Sequence, residues 1–269
     1  MTKITIDLEN EILNDYHLGL TKTQIKIKHN LSDTPINRIF KKNNITYKKN
    51  AQSHIRERSI SWNLDFFEKN SPNLAYIAGF LFADGCLKER ILTNDKTYNL
   101  SVSLNEKDLN IIEFICDCIG LSYDKIRSIP AKNGDPQKMI CIGHKNLGQL
   151  MYRWGIIPNK TYNFKAPEIN DELLPHFIRG WIDGDGTIRV RCGKSSYIRL
   201  TGNKEALDWF IENSKRLGFI GKIYKTEWHD GKVWGKIIIQ NRSNMVWFKK
   251  NLFCNDCFCV KRKWDLIPE

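Results

Sequence analysis

Long hydrophobic runs are missing from this 269-residue chain, and none approaches the roughly 20 apolar residues a bilayer requires. A membrane-spanning role is therefore excluded, and no membrane partner is expected. Met1-Thr2-Lys3-Ile4 lacks the basic and apolar regions that open a signal peptide, so the chain is expected inside a cell. No Gly-x-Ser-x-Gly elbow and no phosphate-cradling glycine loop occurs, and the six histidines are scattered, which leaves nucleophilic side-chain catalysis without support. Acidic residues are in short supply. Thirty Asp and Glu face 42 Lys and Arg, a net charge of +12, and the pI near 9.3 points toward a polyanionic partner. The excess is spread along the chain: residues 1–60 carry 11 basic and 6 acidic side chains, the remainder 31 and 24. Eight cysteines without a secretory signal read as reduced thiols. Cys254, Cys257 and Cys259 could be half of a zinc site, but no second Cys/His pair stands at ligand spacing, and incidental thiols are the simpler reading.

What is present is one stretch that occurs twice. Phe177-Ile178-Arg179-Gly180-Trp181-Ile182-Asp183-Gly184-Asp185-Gly186 repeats the pattern of Tyr76-Ile77-Ala78-Gly79-Phe80-Leu81-Phe82-Ala83-Asp84-Gly85, at an offset of 101 residues (185 − 84). Each copy is an apolar helix-length run ending in an acid and a glycine. Gly79 with Ala83, and Gly180 with Gly184, stand four apart and share one helix face. Faces of hydrogens and methyls let two helix backbones approach closely, so the copies are expected to pack on each other. Asp84 and Asp185 then fall at the negative ends of two helix dipoles and repel one another, a conflict that a divalent cation resolves. A single apolar helix closed by Asp-Gly would be an ordinary helix and turn; the repeat makes it a signal.

At these residues, from about position 63 onward, the chain resembles the LAGLIDADG homing endonucleases in their single-chain, two-motif form. The resemblance implies an α+β fold of two pseudo-symmetric αββαββα halves forming a DNA-binding saddle. It also implies a monomer that makes a double-strand break in a long DNA site, with Mg²⁺ (or another divalent cation such as Mn²⁺) held by Asp84 and Asp185 and helped by carbonyls near Ala83 and Gly184. Lys160 and Lys261, matched at the same offset of 101, occupy positions resembling the family's active-site lysines. Asn105 and Asn203 are expected to order water. Phe82 departs from the pattern where the second copy keeps Asp183, a position that usually serves packing in the family. The alternative is a non-cleaving nucleic-acid binder, either an intron RNA maturase, with RNA as partner, or a DNA-binding regulator. The resemblance further implies intron or intein mobility, in a bacterial or phage-infected cytoplasm rather than an organelle.

Read in order, residues 1–47 form a small helical unit resembling a helix-turn-helix, followed by a basic linker (48–62) and the two halves, 63–166 and 167–269. In the third helix, Thr34, Asn37, Arg38 and Lys41 are expected to face the major groove while Ile36, Ile39 and Phe40 hold the helix to its neighbours. Lys26 and His29 stand where such units prefer a small and an apolar residue, and Asn30 tolerates a left-handed turn. Lys48, Lys49, Arg56 and Arg58 give the linker its charge. Behind each motif the pattern predicts two strands, a helix, two strands and a helix: 86–92, 98–104, 107–119, 125–129, 138–142 and 146–154, then 187–192, 197–201, 204–217, 222–228, 233–240 and 244–252. Alternation in Thr187-Ile188-Arg189-Val190-Arg191 puts Ile188 and Val190 on a core face and Arg189 and Arg191 on a basic one. Lys88, Arg90, Lys138, Arg199, Lys222, Lys225 and Lys236 are further candidates for that basic, DNA-facing surface. Trp209, Phe210, Trp247 and Phe248 fall at helical spacing and belong to the core.

Overall fold

A computed structural model describes residues 5–268 apart from residues 19, 21, 44, 46–61, 93–94, 131–134, 192–195, 230–232 and 255. The linker candidates Lys48, Lys49, Arg56 and Arg58 lie outside the described residues. The chain divides into two compact units, residues 1–59 and 60–269.

The first unit contains α1 (Ile6–His17), α2 (Lys22–His29) and α3 (Asp33–Lys42). Thr5 caps α1 by accepting from the Leu8 amide. Ile12, Ile25, Ile36, Ile39 and Phe40 bury together as its core. Asn30, at φ 50°, makes the left-handed turn between α2 and α3. His29 stands at an apolar position with its side chain largely covered: its Nε2 pairs at 2.6 Å with the buried carboxylate of Asp15, which Lys28 also reaches at 2.6 Å. Both partners hold the Asp15 carboxyl below its usual range, Lys28 foremost. Lys26 turns outward to Asp33 at 2.9 Å. The two residues that depart from the expected helix-turn-helix pattern are thus accommodated by side-chain contacts with Asp15 and Asp33.

The second unit is built twice. The first half runs α4 (Pro72–Asp84), β1 (Cys86–Leu92), β2 (Asp95–Asn105), α5 (Leu109–Ile119), β3 (Arg127–Ile129), β4 (Gln137–His144) and α6 (Leu147–Tyr152). The second runs α7 (Leu174–Asp185), β5 (Thr187–Arg189), β6 (Tyr197–Asn203), α8 (Lys204–Arg216), β7 (Ile223–His229), β8 (Val233–Gln240) and α9 (Arg242–Leu252), with a short α10 (Lys261–Trp264) after it. The strands form two antiparallel four-stranded sheets of matching order, β1-β2-β4-β3 and β5-β6-β8-β7. This is the expected αββαββα arrangement in duplicate. Leu100, Val102, Ile140 and Ile142 line the helix side of the first sheet, and Ile198, Leu200, Ile237 and Ile239 that of the second. Both merge into one core with α4 and α7. Among the described residues no helix is long and apolar enough to cross a membrane.

The two motif helices form the centre. A β-carbon on Gly79 would overlap the Phe177 carbonyl, one on Gly180 would overlap the Tyr76 carbonyl and lie 2.8 Å from the Phe80 nitrogen, and one on Gly184 would overlap the Ala83 methyl. The backbones therefore touch through the small-residue face the sequence predicts. Gly85 and Gly186, which end the helices, have extended φ of −71° and −78° rather than left-handed ones. They are glycines because a β-carbon would run into the last helical turn, at 2.9 Å from Leu81 Cα and 2.9 Å from Ile182 Cγ2 respectively.

Candidate active site and basic sheet faces

Asp84 is the last residue of α4 and Asp185 the last of α7, so the contact between the glycine faces brings the two carboxylates to one place. An Asp84 oxygen lies 3.3 Å from where a Gly184 β-carbon would be. Both side chains reach solvent, yet the surrounding protein disfavours their charge. Burial raises the Asp84 carboxyl above its usual range. Burial and then the neighbouring Asp84 charge push Asp185 up to about 6. Two carboxylates under this strain, beside helix-end carbonyls, make an all-oxygen donor set suited to a hard divalent cation that keeps part of its water shell.

One lysine approaches from each half. Lys160 donates to the Ala83 carbonyl, and Asp185 and Asp84 both act on it, although burial is the larger influence and lowers its ammonium pKa. In the second half the corresponding group is Lys263, not Lys261. Lys263 donates to the carbonyls of Asp183 at 2.6 Å and Gly186 at 2.7 Å, with Ile182 and Gly184 at 3.3 Å, and burial lowers its pKa too. Lys261 is exposed on α10. The offset of 101 holds through the motif helices but lengthens to 103 here, because the connection before α10 is longer than its counterpart before Lys160. On a helix, residues two apart point about 200° apart, so Lys261 faces away when Lys263 faces α7.

Asp183 and Phe82 differ as the sequence suggests. Asp183 is buried and accepts from the Tyr76 hydroxyl at 2.8 Å, the Val260 amide at 2.8 Å and the Trp264 indole at 2.6 Å, fastening α10 to the motif helices. Phe82 instead packs against Trp181, Phe177 and Phe164, with centroids 4.8, 5.6 and 6.4 Å apart. Buried Arg179 adds bonds to the Leu252 and Phe258 carbonyls and to His176. Asn105 caps a short 3-10 turn, Glu106–Asp108, ahead of α5, and Asn203 caps α8, accepting from the Lys107 and Glu205 amides respectively. Asn203 also lines a cavity of about 170 Å³ with Lys160, Asp185 and Trp181.

Strand register sorts the predicted basic residues. Lys88 and Arg90 oppose Asn99 and Thr97, on the sheet face away from Leu100 and Val102. Arg189, Arg199 and Lys236 oppose Tyr197, Thr187 and Thr201, on the corresponding face of the second sheet. Lys222 is exposed beside β7, its ammonium 4.6 Å from the Tyr224 ring centroid, and Arg191 is exposed after β5. Lys138 and Lys225 do not share this face. Lys138 pairs with Leu104 and Lys225 with Ile237, both core-side positions, because strand parity puts them one residue out of phase with their basic neighbours. Lys138 bonds Ser128 at 3.0 Å and Glu106 at 3.2 Å; Lys225 binds Asp208 on α8 and Glu227 at 2.6 Å. Their charges are neutralised at the helix side of the sheets. In the first unit, Thr34, Asn37, Arg38 and Lys41 are all exposed, opposite buried Ile36, Ile39 and Phe40.

Sequence reasoning missed Lys263, the Asp183 network and a cross-half ion pair, Asp108–Arg262. Only the first left a readable trace, as the second lysine in Lys261-Arg262-Lys263.

Residues 172–252 match the family model described as a LAGLIDADG-like domain. An uncharacterized protein of Methanocaldococcus jannaschii is 26% identical over 194 residues, which cover 70% of this chain and 69% of that protein. A probable translation initiation factor IF-2 of the same organism is 28% identical over 160 residues, 56% of this chain but 12% of that protein's own length. Among solved structures, the I-SmaMI LAGLIDADG homing endonuclease bound to cleaved DNA matches at TM-score 0.47 and 15% identity, covering 74% of this chain and 87% of that one. I-DmoI in complex with DNA and Ca matches at 0.46 and 17%, covering 69% and 91%.

Proposed function

We propose that this chain is a monomeric endonuclease, since residues 172–252 match the LAGLIDADG-like domain model and α4 to α6 repeat the element order of α7 to α9. It makes a metal-dependent double-strand break in a long DNA site. The observation that carries the reading is the meeting of Asp84 and Asp185 at the ends of two helices in backbone contact. Each is flanked by a lysine whose ammonium lies on helix-end carbonyls.

Asp84 and Asp185 would hold the divalent cation, Mg²⁺ or Mn²⁺, with carbonyl oxygens at the helix ends able to join them. A cation bound there would activate water and neutralise charge on the scissile phosphate and the leaving oxygen. The chain's own residues do the rest. Lys160 and Lys263, whose burial makes them readier to release a proton, can take one from the attacking water or steady a phosphate oxygen. Water oxygen bonds to phosphorus as one phosphorus–oxygen ester bond breaks, and the leaving oxygen takes up a proton. Lys88, Arg90, Arg189, Arg199 and Lys236 on the open sheet faces position the duplex through phosphates and base edges.

Residues 1–47 act as a second DNA-binding module, with 48–62 as tether and 63–166 and 167–269 as the two catalytic halves. The competing reading is a maturase or regulator that binds without cutting. Incubating the protein and Mg²⁺ with a randomised duplex library and sequencing the ends decides between them. Discrete double-strand ends that vanish with Asp84→Asn or Asp185→Asn support the nuclease, and an intact library rejects it.

A further inference from the structure

The two halves carry matching machinery, and one of the places where they differ lies beside the second active-site lysine. Asn105 and Asn203, each the last residue of the second strand of its half, accept alike from the amide two residues on, so three residues further on Asp108 corresponds to Ala206. Lys160 and Lys263 correspond through their bonds to the ends of α4 and α7, so Arg262 corresponds to Asn159. In the structure Arg262 reaches from the second half to Asp108 in the first, with Nε to Oδ1 at 2.8 Å and Nη2 to Oδ2 at 2.7 Å. Asp108 is largely covered, its side chain 15% exposed. Such a two-pronged, charge-assisted pair fixes orientation as well as distance. Ala206 and Asn159 cannot form one. Lys263, one residue after Arg262, is held on four carbonyls, whereas Lys160 is held on that of Ala83 and follows Asn159 at a left-handed φ of 56°. The Asp108 charge also acts on both Asp84 and Lys263.

We propose, on the nuclease reading above, that the Asp108–Arg262 pair is a positioning device acting through Lys263, and that its absence from the opposite half-site makes the two DNA strands be cut in a fixed order. The strand served by Lys263 goes first. Preorganisation is the physical reason: a group already held in place loses little freedom on reaching its reacting geometry, and a misplacement of about 1 Å can cost on the order of a hundredfold in rate.

The probe is the duplex recovered by selecting a randomised library for cleavage by the wild-type protein, end-labelled on one strand at a time. Wild type should nick one strand ahead of the other. Asp108→Asn and Arg262→Gln should slow that strand roughly tenfold while the other strand keeps its rate, and Arg262→Lys should restore part of the loss. A second readout needs neither metal nor DNA: amide hydrogen exchange over residues 260–264 should quicken in both variants. Equal slowing of both strands, an unchanged order, or unchanged exchange overturns the proposal. A wild-type protein that cuts nothing overturns the nuclease reading itself, whereas normal cutting with no strand order overturns this proposal alone.

Discussion

Gly180 sits against the Tyr76 carbonyl so closely that no side chain fits between the two motif helices. The constraint is reciprocal, since Gly79 meets the Phe177 carbonyl in the same way. Gly180→Ala must therefore separate the helices and the carboxylates they carry. A loss of about 3 kcal/mol or more is expected, seen as a melting temperature lower by roughly 6–12 °C. An unchanged melting curve would show that the helices can part without cost.

Asp185 is raised from 3.8 to about 6 by burial and the Asp84 charge. Its folded pKa lies above its unfolded one, so its ionisation lowers stability as pH rises through about 4 to 6, and the full cost is present at pH 7. Asp185→Asn removes that cost. Because the side chain reaches solvent, the gain is discounted to a melting temperature higher by about 2 °C at pH 7, shrinking to nothing near pH 4. The same variant should lose double-strand cleavage and keep DNA affinity. Cleavage at the wild-type rate would remove Asp185 from the site.

Lys263 and Lys261 separate chemistry from charge. Lys263→Met should reduce cleavage on the order of a hundredfold, while Lys261→Met should keep the cleavage rate and shift only the salt dependence of binding. Single-turnover rates with saturating protein distinguish the two. Equal losses would reinstate Lys261 as the active-site partner of Lys160.

Asp183 accepts three hydrogen bonds in the interior. Asp183→Leu leaves the Tyr76 hydroxyl, the Val260 amide and the Trp264 indole without their acceptor, a loss of about 3 kcal/mol or more. Thermal unfolding gives the size of the loss, and faster amide exchange at residues 260–264 would locate it.

A chain beginning near residue 60 should fold and cut at the same bond as the full protein. It should show a shorter footprint and a shallower fall of affinity with salt, because the first 60 residues supply a surplus of five positive charges. Arg38→Ala should reproduce part of the loss. Identical footprints and salt slopes would remove the first unit from DNA binding.

Much of this fold was legible in the residues themselves. The twofold recurrence of an apolar run ending in Asp-Gly fixed where the two acids stand, and the Gly79/Ala83 and Gly180/Gly184 faces fixed how closely the helices approach, because both depend on local periodicity and side-chain volume. The open-face assignments of Arg189 and Arg199 followed from strand alternation for the same reason. Lys138 and Lys225 were misplaced because a positive charge suggests an open face, whereas Lys138 is in phase with Ile140 and Ile142 and Lys225 with Ile223, and Glu106 and Asp208 neutralise them at the helix side.

The sequence by itself determined the duplicated architecture, the pairing of Asp84 with Asp185 and the polar and buried sides of the third N-terminal helix, all consequences of short-range pattern. Tertiary structure alone decided that Lys263 rather than Lys261 reaches the centre, that Asp183 fastens the C-terminal helix, and that Asp108 grips Arg262 across 154 residues of chain. Those outcomes depend on connection lengths and on which segments fold back against each other, and no local periodicity encodes the path of a connection.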